Sequence, residues 1–302
     1  MSVAALLAVF TWGVSFPLAK IVLHEVGPLT YLVVRHIVGG GILLAAAVLP
    51  AGPGRLRRAD VVKFALLGII LVGFQQGVQS FGLALTTATN SGWLIAAAPL
   101  FIALLARLAL GERLRPRQWA GMGGGLAGSF VVVTQGALAW ETLRSSGGLG
   151  DLMVLESAAA WAWFSVVGKG LLARYPPIAI PAYAMAMGLI PAVPVWLVAG
   201  GPADLARLSG PGWILLLFLG ACSTGLAHLC WYRAMQRHPA GVVGAYMFLQ
   251  PLLATSLGRL LLGEKLTAAT IAGGLMIVVG VYLVTWPSRH SPALRPTLEG
   301  SE

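Results

Sequence analysis

Gln75, Gln76, Gln79 and Ser80 fall within six residues of an otherwise apolar run. Gln75/Gln79 and Gln76/Ser80 are four apart, so on a helix these amides and the hydroxyl share one arc of surface. A lone glutamine in such a run is usually glue between helices. Three in five residues exceed that need, and they suit the lining of a polar cavity that hydrogen-bonds a solute. Tyr246 and Gln250 repeat the four-residue spacing just before Pro251. Pro99 and Pro251 each free a backbone carbonyl in their runs, and such breaks are tolerated against protein or a cavity. Arg35 and Glu156 sit several residues inside apolar runs, where ionisable groups are costly and therefore functional candidates. They can form an ion pair, or Glu156 can stay unpaired and exchange a proton with the outer water. His228 is in line with Thr224 and Trp231, as hydrogen-bonded structure or as a proton relay. Trp12 and Trp161 lie deeper than the tryptophans that fit interfacial belts, namely Trp140, Trp196, Trp213 and Trp286.

Enzyme chemistry has little footing here. Ser223 and His228 are five residues apart, on diverging faces of one helix, with no Gly-x-Ser-x-Gly elbow. The sequence has no Walker motif, no metal-spaced His/Asp cluster and no soluble domain for ATP. No cofactor is expected. Cys222 and Cys230 would stand about 12 Å apart along a helix, too far to bridge.

The elements that must carry these residues follow from composition. The chain of 302 residues is 58% hydrophobic and 10% charged. Soluble domains carry roughly 25% charged residues, so the solvent implied is lipid. The basic residues behind the net charge of +10 lie mostly in short gaps between apolar runs rather than clustered with aromatics, which speaks against a nucleic-acid reading. Ten runs can cross a bilayer as helices: 2–23, 29–49, 61–83, 90–110, 116–134, 151–172, 178–200, 211–235, 241–262 and 267–286. No period-two alternation supports barrel strands. The expected fold is all-α and integral to the membrane, with the first run a retained span rather than a secretory signal.

The chain is also one unit written twice. Pro99-Leu100, Leu110-Gly111-Glu112-Arg113-Leu114, Ala120-Gly121 and Gly128 recur as Pro251-Leu252, Leu262-Gly263-Glu264-Lys265-Leu266, Ala272-Gly273 and Gly280, always 152 positions on. Trp12 and Lys20 match Trp161 and Lys169 at an offset of 149. Residues 1–142 and 143–286 are the two expected five-helix repeats, followed by a short cytoplasmic tail at 287–302. Five spans per repeat is odd, so the second copy enters the membrane inverted, an arrangement suited to alternating access around a midplane site. With the N-terminus in the cytoplasm, fourteen lysines and arginines fall inside and six outside, which favours both termini inside. Gly121/Gly125, Gly124/Gly128 and Ala269/Gly273 are small-xxx-small faces for close helix packing. Lys20, Lys169, Arg107 and Arg259 lie near helix ends and are expected to snorkel.

Trp12-Gly13…Lys20, Arg35 and the two Pro…Leu-Gly-Glu-basic-Leu…Ala-Gly…Gly blocks resemble the EamA branch of the drug/metabolite transporter superfamily. The resemblance covers nearly the whole chain. It implies a ten-helix, inverted-repeat carrier of small metabolites, often an exporter, with the pocket enclosed mainly by helices 1, 3, 4, 6, 8 and 9. Trp93, Trp163 and Trp231 then join Trp12 and Trp161 as candidates to wall the pocket. The second half departs from the first at Arg35, whose counterpart near Ala184 is apolar. Taken together, the expectation is a secondary active or facilitative transporter in a bacterial-type inner membrane, monomeric or homodimeric. Amides, tryptophans and a single arginine suit an amino acid or similar small polar or amphipathic metabolite; a phosphate would call for several convergent cations. A membrane-embedded structural or lipid-handling protein without solute turnover stays open as the alternative, as does a channel.

Overall fold

The structure is a computed structural model that describes residues 2–48, 56–110, 116–136, 146–238 and 240–285. The Gly111-Glu112-Arg113-Leu114 hinge with Arg115, the mid-chain segment holding Trp140 and Arg144, and the 287–302 tail with Trp286 lie outside the described residues, as does the side chain of Arg107. The described residues form helices and no strand. In order they are α1 (Val3–Leu23), α2 (Pro28–Val48) and the long α3 (Arg58–Leu85). Next come α4 (Ala88–Ile95), α5 (Ala98–Leu110), α6 (Pro116–Thr134), α7 (Ser146–Leu171) and α8 (Ala179–Val198). A short α9 (Gly201–Leu205) precedes α10 (Gly210–Arg237), then α11 (Ala240–Ala245), α12 (Leu249–Leu262) and α13 (Ala268–Thr285). Five of these, α1, α2, α3, α8 and α10, are long and apolar enough to cross a bilayer.

Side-chain ends set the helix starts. Ser2 accepts from the Ala5 amide, Thr87 from Asn90, and Ser209 from Gly212, each satisfying an N–H that the first turn leaves unpaired. The radial pattern is that of a protein dissolved in lipid. Large apolar side chains such as Phe10, Ile190, Val198 and Leu260 face outward, while Arg35, His36, Gln75, Gln76, Gln250 and His228 are buried. Trp196, expected in an interfacial belt, is buried instead, and its indole N–H donates to Thr30 Oγ1 at 3.0 Å.

Two pairs of interruptions break the regular winding. α3 is π-helical over Ile69–Val78, and α10 is π-helical over Leu219–Leu226; the first residues of the two segments are 150 apart. The proline-bearing spans are also broken. α4 and α5 are separated by a tight turn at Ala96 and Ala97, just before Pro99, and α11 and α12 by a 3-10 turn at Tyr246–Phe248, just before Pro251. Pro99 and Pro251 thus follow real breaks in both halves, where a carbonyl cannot be paired within the helix.

The glycine rows bring α6 and α13 into backbone contact. A Cβ on Gly128 would lie 2.5 Å from the Gly273 carbonyl oxygen, and one on Gly280 would lie 2.5 Å from that of Gly121. The early part of α6 therefore meets the late part of α13, so the two helices run antiparallel. Shifting Gly128 and Gly121 by 152 gives Gly280 and Gly273, so each contact becomes the other. Gly125 meets Leu100. Gly124 has open space where its side chain would be, so the Gly124/Gly128 face is not a packing face along its full length.

Candidate functional site

A cavity of about 40 Å³ opens between α1, α2, α3, α7, α10 and the start of α12. It gathers many of the residues singled out in the sequence. Gln75, Gln76 and Gln79 line it from α3, Trp12 from α1, Trp161 from α7, Arg35 from α2 and Gln250 from α12. The π segment contributes to this grouping: its wider turns hold Gln75 and Gln76 together, both nearly fully buried.

The polar walls are held unevenly. Gln79 Nε2 donates to Ser157 Oγ at 3.3 Å. Gln75 Oε1 and Gln76 Oε1 are buried without a hydrogen-bond partner among the described residues. Arg35 Nε donates to Thr224 Oγ1 at 2.8 Å, Nη1 donates to the Tyr31 hydroxyl, and the guanidinium carbon lies 5.0 Å from the Tyr31 ring centre.

The apolar wall is an aromatic corner. Trp12 and Trp161 meet edge to face, 5.0 Å between ring centres at 80°. The Trp12 indole N–H donates to the Ser223 carbonyl at 2.9 Å, which fixes the ring against α10. His228 and Trp231 stand behind this pair, with ring centres 5.3 and 5.4 Å from Trp12. His228 Nδ1 lies 3.3 Å from the Ser223 carbonyl oxygen, and the residue is fully buried without lining the cavity. Its place is behind the tryptophans, supporting them.

Several candidates lie elsewhere, each for a geometric reason. Tyr246 is on the 3-10 turn, which breaks the four-residue register with Gln250; its hydroxyl accepts from the Ser2 amide at 2.9 Å, and Met247 faces the cavity instead. Trp163 is two residues past Trp161, about 200° around the helix, and packs against the main apolar core. Trp93 leans on α13, where a Cβ on Gly274 would come within 2.3 Å of its ring. Glu156 is exposed on α7, about 140° around from Trp161, and does not meet Arg35. The Arg35–Glu156 ion pair is absent.

The cavity wall includes further residues that polarity and recurrence do not single out. Tyr31 stands four before Arg35, and Ser15 and Phe16 stand three and four after Trp12, so helical spacing could have flagged them. Asp151, at the very start of the 151–172 run, likewise gives no sign in the sequence of the contacts it makes. Asp151 is 2% exposed; its carboxylate accepts from the Thr86 hydroxyl and from Asn90 Nδ2, the latter at 3.0 Å. It belongs to a clasp around the α3–α4 turn. Lys20 does not snorkel: Nζ donates to the carbonyls of Leu83, Ala84 and Thr86 at 2.8, 3.0 and 2.6 Å, capping α3. Glu264 caps the other side, accepting from the Ala88 and Thr89 amides at 2.7 and 2.9 Å. In the second half Lys169 donates to the His238 carbonyl at 3.1 Å, the counterpart of the Lys20–Thr86 bond.

Comparison with known proteins decides the lineage. The EamA-like transporter family matches residues 1–134 and again 148–286. The chain belongs to the EamA-like transporter family. A probable terminal-alkyne amino-acid exporter of Streptantibioticus cattleyicolor is 28% identical, over 93% of this chain and 92% of its own. A probable amino-acid metabolite efflux pump of Escherichia coli is 24% identical, with 97% of each covered. An uncharacterized transporter of Archaeoglobus fulgidus is 29% identical over 92% of this chain and 95% of its own. A solved crystal structure with 22% identity superposes at a TM-score of 0.66, covering 94% of this chain and 96% of that one, which shows the shared fold. This EamA-family member is a multi-pass membrane transporter.

Proposed function

We propose that this EamA-family transporter moves a small zwitterionic or amphipathic metabolite, an amino acid or a close derivative, out of the cell by alternating access. The observation that carries the reading is the buried cavity that joins one guanidinium and four carboxamides to an aromatic corner. Charge and amides suit the ionised backbone of an amino acid, and Trp12 with Trp161 suits its side chain. The printed names of two relatives, an amino-acid exporter and an amino-acid metabolite efflux pump, point the same way and favour export.

A volume of 40 Å³ holds about three waters, at roughly 10–15 Å³ of such space each. An amino acid needs more, so this conformation is contracted and the cycle includes a wider one. The antiparallel, exchange-related contacts of α6 and α13 support two inverted five-helix repeats, 1–142 and 143–286, rocking about that seam. The carrier sits in the inner membrane with both termini cytoplasmic, and its driving force is a solute or ion gradient.

Counterflow into liposomes tests the proposal. Purified protein in vesicles preloaded with unlabelled amino acids should accumulate external labelled amino acid saturably. Folded protein that moves none of the standard amino acids or their derivatives would reject it.

A further inference from the structure

Arg35 is a buried positive charge with no acid on it among the described residues. It is 5% exposed and lines the cavity. Its two hydrogen-bond acceptors, Thr224 Oγ1 and the Tyr31 hydroxyl, are both neutral. None of the ion pairs among the described residues includes it. A guanidinium carries five N–H donors, and two contacts leave the fork only partly used. A desolvated charge kept without a counter-charge is costly and is retained where something arrives to meet it. A carboxylate fits that fork with two parallel bonds and brings the one negative charge that is missing. A doubly charged phosphate would leave the site over-negative, because among the described residues no lysine or second arginine lines the cavity.

A second, independent feature lies on α3. The amide groups of Gln75 and Gln76 line the same cavity, and both carbonyl oxygens lack a partner among the described residues. Rotation about the last side-chain torsion turns either oxygen toward the cavity, where it accepts from an N–H.

We propose that Arg35 is the carboxylate anchor of the substrate site and that the carboxamide oxygens of Gln75 and Gln76 take the substrate ammonium. The zwitterion then lies in one direction, carboxylate on α2 and ammonium on α3, with its side chain left to Trp12 and Trp161. This inference rests on the amino-acid transport reading and goes further, because it assigns each charge of the substrate to named residues.

The experiment compares competitors in the liposome counterflow assay: standard amino acids, their methyl esters, and their N-acetyl derivatives. The ester removes the carboxylate charge and the acetyl group removes the ammonium. For wild-type protein the free amino acid should compete roughly ten- to hundredfold better than its ester, the range expected when a hydrogen bond to a charged group is lost. It should also outcompete the N-acetyl form. Arg35→Met should bring acid and ester to parity, and Arg35→Lys should keep part of the preference as a point charge without the fork. The wild-type ratios stand even if Arg35→Met does not fold. Equal competition by acid and ester overturns the anchor while leaving transport of amino acids intact. Equal competition by the N-acetyl form overturns the role of Gln75 and Gln76. Folded protein that moves no probe overturns this inference and the transport reading together.

Discussion

Lys20 Nζ stands 2.6 Å from the carbonyl oxygen of Thr86, joining the far end of α1 to the turn between α3 and α4. The same ammonium also holds Leu83 and Ala84, so three carbonyls at the end of α3 share one cation. Leu83, itself in the cap, and Ala19, next to Lys20, both line the cavity. Lys20→Met should lower stability by about 1–2 kcal/mol, a charged hydrogen-bond cluster discounted for its partial exposure. Thermal unfolding in detergent reads the change, and Lys169→Met, with its single bond at 3.1 Å, should cost less. An unshifted midpoint for Lys20→Met would mean that water replaces the cap at no cost.

Glu264 offers a second test of the clasp. Its carboxylate takes the first two amides of α4 and the Thr89 hydroxyl, so Glu264→Ala should destabilise by roughly 0.5–2 kcal/mol, as for other lost N-caps. Amide exchange should quicken first at Ala88 and Thr89. Unchanged protection at those two amides would remove Glu264 from the clasp.

Glycines of α6 should separate by contact rather than by spacing. Gly128→Leu drives a side chain into the Gly273 carbonyl and should sharply reduce folded yield. Gly124→Leu meets open space and should leave yield and thermal stability close to wild type. Equal loss at both positions would contradict the α6–α13 seam.

Glu156 faces away from the cavity, so it has no route to a bound solute in this conformation. Glu156→Gln should keep both counterflow and any accumulation driven by an imposed pH gradient. Loss of the pH-driven component alone would restore Glu156 as the coupling group.

Topology is testable at two exposed lysines. With Cys222 and Cys230 replaced, Lys63→Cys should react with impermeant thiol reagents from the cytoplasmic side and Lys265→Cys from the opposite side. Both reacting from one side would break the ten-span reading.

Much of the scaffold could be read from residue order alone. Runs at 2–23, 29–49 and 116–134 became helices Val3–Leu23, Pro28–Val48 and Pro116–Thr134, because apolar length and flanking caps are local properties. Gln75, Gln76, Gln250, Trp12 and Trp161 were found by polarity, spacing and recurrence. Facing was harder to read. Tyr246 was lost because spacing rules assume regular winding and its helix breaks there. Glu156 lies deep in its run, but depth says nothing of azimuth, and the residue is exposed on α7. Asp151 stayed hidden because a carboxylate at a span end resembles an interfacial one until Thr86 and Asn90 are seen to enclose it.

The π-helical stretches at Ile69–Val78 and Leu219–Leu226 bear on how such a carrier could change which residues it shows its cargo. In an α-helix each residue turns the chain about 100°, so absorbing or expelling one residue in a π turn rotates everything beyond it by that angle. Beyond the first stretch lie Gln79, Ser80 and Leu83; beyond the second lie His228 and Trp231. Rewinding the first helix by a single step would swap amide for alkyl on the face turned toward the solute, and rewinding the second would shift the His228 and Trp231 rings that back Trp12. Each half would then hold a torsional ratchet, able to alter the chemistry of the binding surface without bending a helix or parting the α6–α13 seam.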